Sequence, residues 1–230
     1  MKPIALSAAT LVAALAALPL TAHAQTFYTT PAAYNAAATT ATTYDFNGIA
    51  PTNGLTTNPA VLDTPASGRV TFSVTGGDDS NVYAASSTFN AGSYTLSDGT
   101  DSVIAGFPRN SVSTTTIALG GSYTAFAIEY GMQNNAMNSF TFALFNGNTQ
   151  VGSTNNAGSA VGDRFFGATS ATAFNAVRVT AAIDTGANYV VFDNARVGSA
   201  GTAVVPEAGT LALLLPALGV AGIVVARKRK

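Results

Sequence analysis

The sequence predicts an all-β domain, a β-sandwich or barrel, between two apolar terminal segments. Three observations support this fold class. About ten short segments alternate apolar and polar residues, turn residues separate them roughly every 8–12 positions, and no long helical periodicity occurs between the termini. Many Thr, Ser, Asn and Gly residues beside few Lys and Glu residues favour short strands and turns over surface helices.

The first part of this domain has a weak pattern. Residues 26–43 are rich in Ala and Thr and predict either a short helix after Pro31 or a loose arm. Tyr44–Gly48 (YDFNG) predicts the first firm strand, which Asn-Gly ends. Residues 49–67 contain three prolines and predict a long loop, because proline cannot donate to a sheet ladder.

The later segments show the period-two alternation that is typical of half-buried strands. Gly120-Gly121 is expected to separate a strand at 113–119 from one at 123–130, and Gly147-Asn148 to form a hairpin turn. Arg178 is expected to face outward, and the last strand is predicted at 189–197. The residues expected to face the core are Val70, Phe72, Val74, Phe126, Ile128, Tyr130, Phe140, Phe142, Leu144, Val177 and Val179.

The first 24 residues have the parts of a secretory signal peptide. Lys2 supplies the positive start, residues 4–20 are apolar, and Ala22-x-Ala24 is the small-residue pattern that signal peptidase recognises. Cleavage after Ala24 would leave Gln25 as the mature N-terminus and a domain at residues 25–204. An uncleaved N-terminal membrane helix is the alternative.

The last 26 residues, 205–230, contain three features in a fixed order. Residues 208–226 form an uncharged, mostly apolar stretch of 19 residues, within the roughly 17–25 that span a bilayer. A basic stop signal follows it and would stay on the cytoplasmic side: Arg227, Lys228, Arg229 and Lys230. A short extended motif begins the segment: Val205, Pro206, Glu207, Ala208, Gly209 and Thr210. This order predicts a C-terminal transmembrane helix.

The tail resembles the PEP-CTERM sorting signal, in which a Val-Pro-Glu-Pro-type motif precedes an apolar helix and an Arg/Lys cluster. Ala208 stands where the family usually has its second proline, and the matching residues are Val205, Pro206, Glu207, Gly209 and Thr210. The resemblance implies recognition by an exosortase, a membrane-embedded cysteine transpeptidase of Gram-negative bacteria that make exopolysaccharide. That enzyme would cut near the Pro-Glu motif. An ordinary C-terminal anchor without processing is the alternative.

The residues that the mature domain lacks exclude several kinds of site. Between positions 25 and 204 the chain has no His, Cys, Lys or Trp. This excludes Ser-His-Asp and Cys-His nucleophilic sites, zinc or copper held by His or Cys, and lysine Schiff bases. Five Arg against nine Asp and one Glu give this domain a net charge of −5, which argues against nucleic-acid binding.

Asp45 and Asp193 are the candidate metal ligands. Asp45 lies in the first firm strand and Asp193 in the last, YVVFDNARV. Residues 123–198 resemble the closing strands of jelly-roll domains in PEP-CTERM proteins and carbohydrate-binding modules, in which the first and last strands run side by side. This resemblance implies a structural Ca²⁺ held by the two acids, with Asn47 and Asn194 as further oxygen donors. The alternative is that Asp193 caps a neighbouring turn.

Two further pairs of acids lie in turn-like segments. Asp78 and Asp79 belong to GGDDSN, and Asp98 and Asp101 belong to SDGTD. Each pair either binds calcium or stabilises its turn, because Asp side chains bond readily to their own backbone.

The remaining candidates are one glutamate and several tyrosines. Glu129 would be catalytic only with a second carboxylate across a cleft, and its neighbours Ala125 and Ala127 favour a solvent-facing position instead. Tyrosine rings are candidates for stacking on sugars: Tyr83, Tyr94, Tyr123 and Tyr130.

Together these features predict a non-enzymatic, exported protein, structural or adhesive in role. It would be held transiently in the inner membrane by its tail and then delivered to the cell surface or extracellular matrix of a Gram-negative bacterium. Its expected partners are signal peptidase, exosortase, the inner membrane and, in an adhesive role, polysaccharide, but not nucleic acid. The alternatives are a carbohydrate-binding module with structural calcium and a carboxylate-dependent glycoside hydrolase.

Overall fold

The computed structural model describes residues 25–50, 52, 54–57, 62–63, 69–88, 98–106, 111–133, 139–156, 164–182 and 189–201. Within these residues the protein has one short helix and twelve strands, and every strand pairing is antiparallel. The all-β prediction is therefore confirmed.

The single described helix, α1, is Pro31–Ala37. The strands, in chain order, are β1 (Gln25–Tyr28), β2 (Ala38–Tyr44), β3 (Leu55–Thr57), β4 (Leu62–Asp63), β5 (Arg69–Gly76), β6 (Val82–Ala85), β7 (Ser102–Ala105), β8 (Val112–Gln133), β9 (Ser139–Asn146), β10 (Thr149–Asn156), β11 (Arg164–Ala182) and β12 (Tyr189–Ala200).

Helix α1 is the helix expected after Pro31. Thr30 caps its N-terminus by accepting a hydrogen bond from the Ala33 N–H at 3.4 Å, and Pro31 lies in the first turn, where its missing N–H costs nothing. Seven residues are too few for a helix to be stable alone. Tertiary packing therefore stabilises α1, through Tyr34, which is fully buried with its ring centroid 5.9 Å from that of Phe165.

Two long strands, β8 and β11, run through both parts of the sheet and connect them. The prediction of a turn at Gly120-Gly121 is wrong, because β8 continues through both glycines. The φ of 68° at Gly120 lets the strand bend without ending. β11 is likewise continuous, from Arg164 to Ala182. Its register against β8 shifts between Thr169 and Ala176, which marks its bend.

These bends divide the sheet into two layers that share β8 and β11. In the first layer, residues 112–118 of β8 pair with β5 and with residues 176–182 of β11, and β9 and β10 extend it. In the second layer, residues 125–133 of β8 pair with β12 and with residues 164–169 of β11. Strands β1, β2, β7, β6 and β3 extend this second layer, and the whole is sandwich-like.

Aromatic rings fill the space between the two layers. Phe142 of the first layer stacks on Phe166 of the second with ring centroids 4.0 Å apart, and Phe72 meets Phe192 at 5.8 Å. Every residue that the alternation predicted to face the core is buried. The inner faces of both layers were therefore predicted correctly from the period-two pattern.

The outer face of the second layer was predicted less well. Ala125 and Ala127, expected to share a solvent-facing side with Glu129, are fully buried. They cluster with Tyr34 of α1 and with Phe165, so the helix covers this part of the sheet. The small side chains of the two alanines leave room for the Tyr34 ring. This part of β8 is apolar on both faces, because the core covers one face and α1 covers the other.

Strands β2 and β12 lie side by side, whereas the first strand in chain order, β1, pairs with β11. Tyr44 pairs with Ala195 and Ala38 with Ala200. The strand predicted at Tyr44–Gly48 ends instead at Tyr44, because Phe46 adopts a left-handed backbone (φ 54°) and buries its ring in the core. The predicted loop at 49–67 contains the two short strands β3 and β4.

Several predictions lie outside the described residues. They concern the signal peptide with Ala22 and Ala24, the sorting motif at 205–210, the apolar segment at 208–226 and the basic residues 227–230. Gln25, the predicted mature N-terminus, begins β1, and its side-chain amide donates a hydrogen bond to the Val151 carbonyl. In the part of the chain that the structure describes, none of the helices is sufficiently long and apolar to cross a membrane.

Candidate functional site

Asp193 occupies the centre of a polar network on the outer face of the second layer. Val190 and Phe192 of β12 point into the core, so the alternation of the strand turns Asp193 to the opposite face. The side chain is nevertheless fully buried, at 0% exposure, because it contacts the segment that leads into β7. The Asp193 network consists of Asp98, Thr100, Glu129, Asp193, Asn194 and Arg196.

Both carboxyl oxygens of Asp193 have partners. Oδ1 accepts a hydrogen bond from the Asn194 N–H at 2.6 Å, and Oδ2 lies 2.9 Å from the Thr100 hydroxyl. The same hydroxyl lies 3.0 Å from Oδ2 of Asp98, and the Thr100 N–H donates to Oδ1 of Asp98 at 3.1 Å. Thr100 therefore bridges two acids from distant parts of the chain.

A bulge in β12 completes the network. Asn194 has a left-handed backbone (φ 50°), which Asn tolerates better than most residues, and the register against β8 shifts between Asp193 and Arg196. The Asn194 side-chain amide donates to Asp98 at 2.9 Å and to Glu129 at 3.1 Å. Arg196 forms an ion pair with Glu129 at 2.9 Å, which offsets the negative charge of Glu129.

The geometry favours a neutral Asp193 carboxyl. The Thr100 hydroxyl has a single proton but lies within hydrogen-bond distance of two carboxyl oxygens. Both contacts are hydrogen bonds if Asp193 is protonated and donates to Thr100, which then donates to Asp98. The pKa of Asp193 is raised to about 7, and burial is the largest cause. The hydrogen bonds with Thr100 and Asn194 lower the pKa, and the charges of Asp98 and Glu129 raise it by smaller amounts.

Asp101 fixes the same segment at a second point. One of its carboxylate oxygens accepts from the Ser87 N–H at 2.9 Å and the other from the Gly48 N–H at 3.0 Å. Ser87 follows β6 and Gly48 follows β2, so the Asp101 side chain joins these two segments to its own. Asp98 and Asp101, interpreted from sequence as calcium ligands or turn residues, thus hold the segment 98–101 against the sheet.

Asp45, the predicted partner of Asp193, lies in different surroundings. Its side chain is exposed and accepts a hydrogen bond from the Asn47 N–H at 3.2 Å, which is a local turn contact. The pairing of β2 with β12 brings the two strands together, but the Asp193 network forms without Asp45. Among the described residues, no group of three His, Cys, Asp or Glu side chains is arranged to hold a metal ion. The calcium hypothesis stays a prediction.

Glu129 and Asp193 lie directly opposite each other on β8 and β12. Their environments differ as those of a catalytic acid and base would, because Glu129 pairs with Arg196 while Asp193 has a raised pKa. A general acid must also reach its substrate, and the fully buried Asp193 side chain presents no surface to one. The arrangement is suited to holding the segment 98–101 rather than to catalysis.

The tyrosine candidates fall into distinct environments. Tyr130 is in the core, with its ring centroid 5.0 Å from those of Phe140 and Phe142, so it cannot stack on a sugar. Tyr123 packs partly against the core, and Tyr94 lies outside the described residues. Half-buried Tyr83 is on the outer face of the second layer.

The turn after β5 explains the acids beside Tyr83. The Tyr83 hydroxyl donates to Asp79 at 2.6 Å, and the Asn81 N–H donates to the same carboxylate at 2.8 Å. These hydrogen bonds lower the pKa of Asp79, that from Tyr83 most. Asp79 thus has the turn-stabilising role, and Asp78 beside it is exposed.

Thr100, Arg196 and the central role of Asn194 were not predicted from the sequence. Their contacts cross 65 to 96 positions of the chain, so no local pattern reports them. The one usable signal was the Asp-Asn pair inside the apolar run YVVFDNARV, since two polar residues there interrupt the alternation and indicate a bulge.

No protein-family model matches the chain, and no curated protein matches it. Among solved structures, the chain is similar to the enzymatically active domain of tailspike protein 4 from bacteriophage CBA120, with 14% identity, a TM-score of 0.36, and coverage of 56% of this chain and 19% of that chain. A Ruminococcus gnavus GH29 fucosidase in complex with fucose gives 13% identity, a TM-score of 0.32, and coverage of 53% and 25%. The chain thus spans a quarter or less of these structures, and similarity at such TM-scores carries no functional argument.

Proposed function

We propose that the chain is an exported, non-enzymatic β-sandwich protein of the jelly-roll type, structural or adhesive in role. Its tail holds it in the inner membrane of a Gram-negative bacterium until an exosortase cuts it, and the mature domain passes to the cell surface or exopolysaccharide matrix. The observation that carries the proposal is the order of features at the chain end: motif 205–210, apolar segment 208–226 and basic residues 227–230.

The chemistry of the tail supports this order of events. An apolar stretch of 19 residues is stable in hydrocarbon, and four adjacent cations resist transfer across the membrane. Pro206 keeps Val205 out of a helix, and Gly209 weakens the helix start. We therefore expect the Pro-Glu motif to be extended at the membrane surface, where a transpeptidase can bind it.

The chemistry of the domain supports a role without catalysis. Residues 25–204 lack His, Cys and Lys, which removes most nucleophiles and general bases. Among the carboxyl groups of the described residues, that of Asp193 has the most altered pKa, and it is buried beneath Thr100. What remains is a sheet domain whose outer surfaces are available for contacts.

Cell fractionation with and without the exosortase tests the proposal. In wild-type cells we expect released protein whose intact mass ends near residue 206. In cells without the exosortase, we expect the protein in the inner-membrane fraction with Arg227–Lys230 still attached. Released protein that retains the basic tail would refute processing.

Two substitutions in the motif provide matched controls. Pro206→Ala removes the residue that keeps the motif extended and is expected to leave more than half of the chain uncut. Ala208→Pro restores the second proline of the family pattern and is expected to raise the cut fraction. The measurement is the ratio of membrane-bound to released protein on an immunoblot, and equal ratios for both variants would contradict recognition of the motif.

A further inference from the structure

The outer face of the first layer carries hydroxyl groups in regular rows. Cross-strand register places Thr75, Thr114, Thr180 and Thr141 in one row across β5, β8, β11 and β9. The Thr75 hydroxyl donates to the Thr114 carbonyl at 3.5 Å, and the hydroxyls of Thr114 and Thr180 are 3.2 Å apart. These contacts fix the positions of the hydroxyls, and all four side chains remain partly or largely exposed.

A second row, parallel to the first, contains an arginine whose guanidinium lies over an aromatic ring. Thr116 lies opposite Arg178, whose guanidinium carbon is 3.9 Å from the centroid of the Phe145 ring. The five N–H donors of a guanidinium lie in its own plane, and a cation–π contact with the ring does not use them as hydrogen-bond donors. Within the described part of the chain, Arg178 has no carboxylate partner.

The charge on this face distinguishes it from the rest of the domain. We define the hydroxyl face as Thr75, Thr114, Thr116, Thr141, Phe145, Arg178 and Thr180; of these seven residues, Arg178 alone is charged. The acids of the Asp193 network lie instead on the outer face of the second layer. Because residues 25–204 carry a net charge of −5, a polyanion is repelled by the domain, whereas a neutral chain is not.

We propose that the hydroxyl face binds a neutral, extended polysaccharide. Arg178 would donate hydrogen bonds to sugar oxygens, and the flanking hydroxyls of Thr116 and Thr180 would both donate to and accept from sugar hydroxyls. Side chains within a row lie on neighbouring strands, about 4.8 Å apart, and the two rows lie about 6.7 Å apart along the strands. This spacing matches an extended polymer better than a compact ligand. This inference rests on the proposed delivery to a polysaccharide matrix and names its molecular contact.

Affinity electrophoresis of the full-length chain in nonionic detergent tests the ligand class. The gels contain hydroxyethyl cellulose or galactomannan as neutral polymers, or carboxymethyl cellulose as an anionic polymer on the same backbone as the first. We expect retardation by at least one neutral polymer and not by the anionic one. Absence of retardation in both neutral gels, or stronger retardation by carboxymethyl cellulose, would overturn the proposal.

Variants test whether this face is the site. Arg178→Gln and Thr116→Val each remove hydrogen-bond donors and are expected to raise the apparent Kd by about five- to tenfold. The second variant is needed because the first uncovers the Phe145 ring. Arg164→Gln, at the exposed start of β11, makes the same charge change elsewhere and is expected to leave the Kd unchanged.

The outcomes separate this inference from the proposed function. If both variants bind like Arg164→Gln, the hydroxyl face is not the site. If neutral polymers fail to bind while the tail is still processed in cells, this inference alone fails. If binding occurs but the tail is never cut, the proposed function fails and the binding surface stands.

Discussion

Asp193 is a carboxyl group in surroundings that disfavour its charge. It is fully buried and lies directly opposite Glu129, and like charges at such positions repel. The left-handed backbone of Asn194 brings an amide between Asp98 and Glu129, and Arg196 pairs with Glu129. The polar groups of the network thus serve as hydrogen-bond partners for one another. Asp193 is the member whose protonated form is favoured most.

The contribution of Asp193 to the free energy of unfolding should therefore fall as the pH rises from about 3.8 to about 7. These values are the ordinary pKa and the raised pKa of its carboxyl group. Between them the folded protein binds more protons at this site than the unfolded chain, so a rise in pH favours unfolding. Below the window the carboxyl is protonated in both states, and above it the destabilisation is complete.

Asp193→Asn replaces the acid with a neutral mimic and tests this sign. At pH 8 the variant is expected to be more stable than the wild type by on the order of a few kcal/mol, with a much smaller difference at pH 4. Urea unfolding followed by circular dichroism at both pH values measures it. Asp45→Asn, at an exposed position, is the control, and a stability difference independent of pH would show that the pKa of Asp193 is not raised in the folded protein.

At the scale of elements, the pairing of β2 with β12 depends on a close approach of two backbones. The register of this pair shifts between Val197 and Gly198, and a Cβ atom on Gly198 would overlap the Thr39 carbonyl group. Glycine is required here for space. The pairing matters because β2 joins α1 to the sheet, and α1 covers Ala125 and Ala127.

Gly198→Ala is expected to destabilise the domain by about 1–3 kcal/mol, because the backbones of β2 and β12 must separate. Thermal unfolding measures the loss of stability. In the Gly198→Ala variant, the backbone amides of β2 should exchange faster than those of β9, which lies in the other layer. Ser199→Ala, exposed on the same strand, should change stability by less than about 0.5 kcal/mol. Equal effects of the two substitutions would contradict the close approach.

At the scale of the whole molecule, two bent strands make two layers from one sheet. β8 and β11 pass through both layers, so the layers cannot separate without breaking these strands. The rings between the layers, above all the stacked pair Phe142 and Phe166, then supply apolar burial on both inner faces. The domain contains no cysteine, so this packing has to stabilise the fold without disulfides.

Phe166→Ala is expected to destabilise the whole domain by about 3–5 kcal/mol, because it removes a fully buried ring from between the layers. Chemical unfolding should remain a single transition if the layers fold together. Val112→Ala provides the control, since Val112 is 53% exposed and should contribute less than about 0.5 kcal/mol. Two separate transitions in the wild type would contradict one shared core.

The all-β class and the inner face of each layer could be predicted from the sequence, because the side chains of a strand alternate with a period of two wherever one face is buried. Phe72, Phe142 and Val177 were placed correctly on that ground alone. The outer faces could not be predicted in this way. Ala125 is buried only because Tyr34, far away in the chain, packs over it.

The terminal segments and the missing residue types are properties of the sequence itself, and they define the proposed route of export and the chemistry that the domain lacks. The tertiary structure decided which polar residues meet. Asp193 joins Thr100, Asn194 and Glu129 rather than the predicted Asp45, and Arg178 lies among threonines from neighbouring strands. The physical reason is that register, bulges and strand bends determine contacts between distant residues, whereas local patterns determine only which way a side chain points.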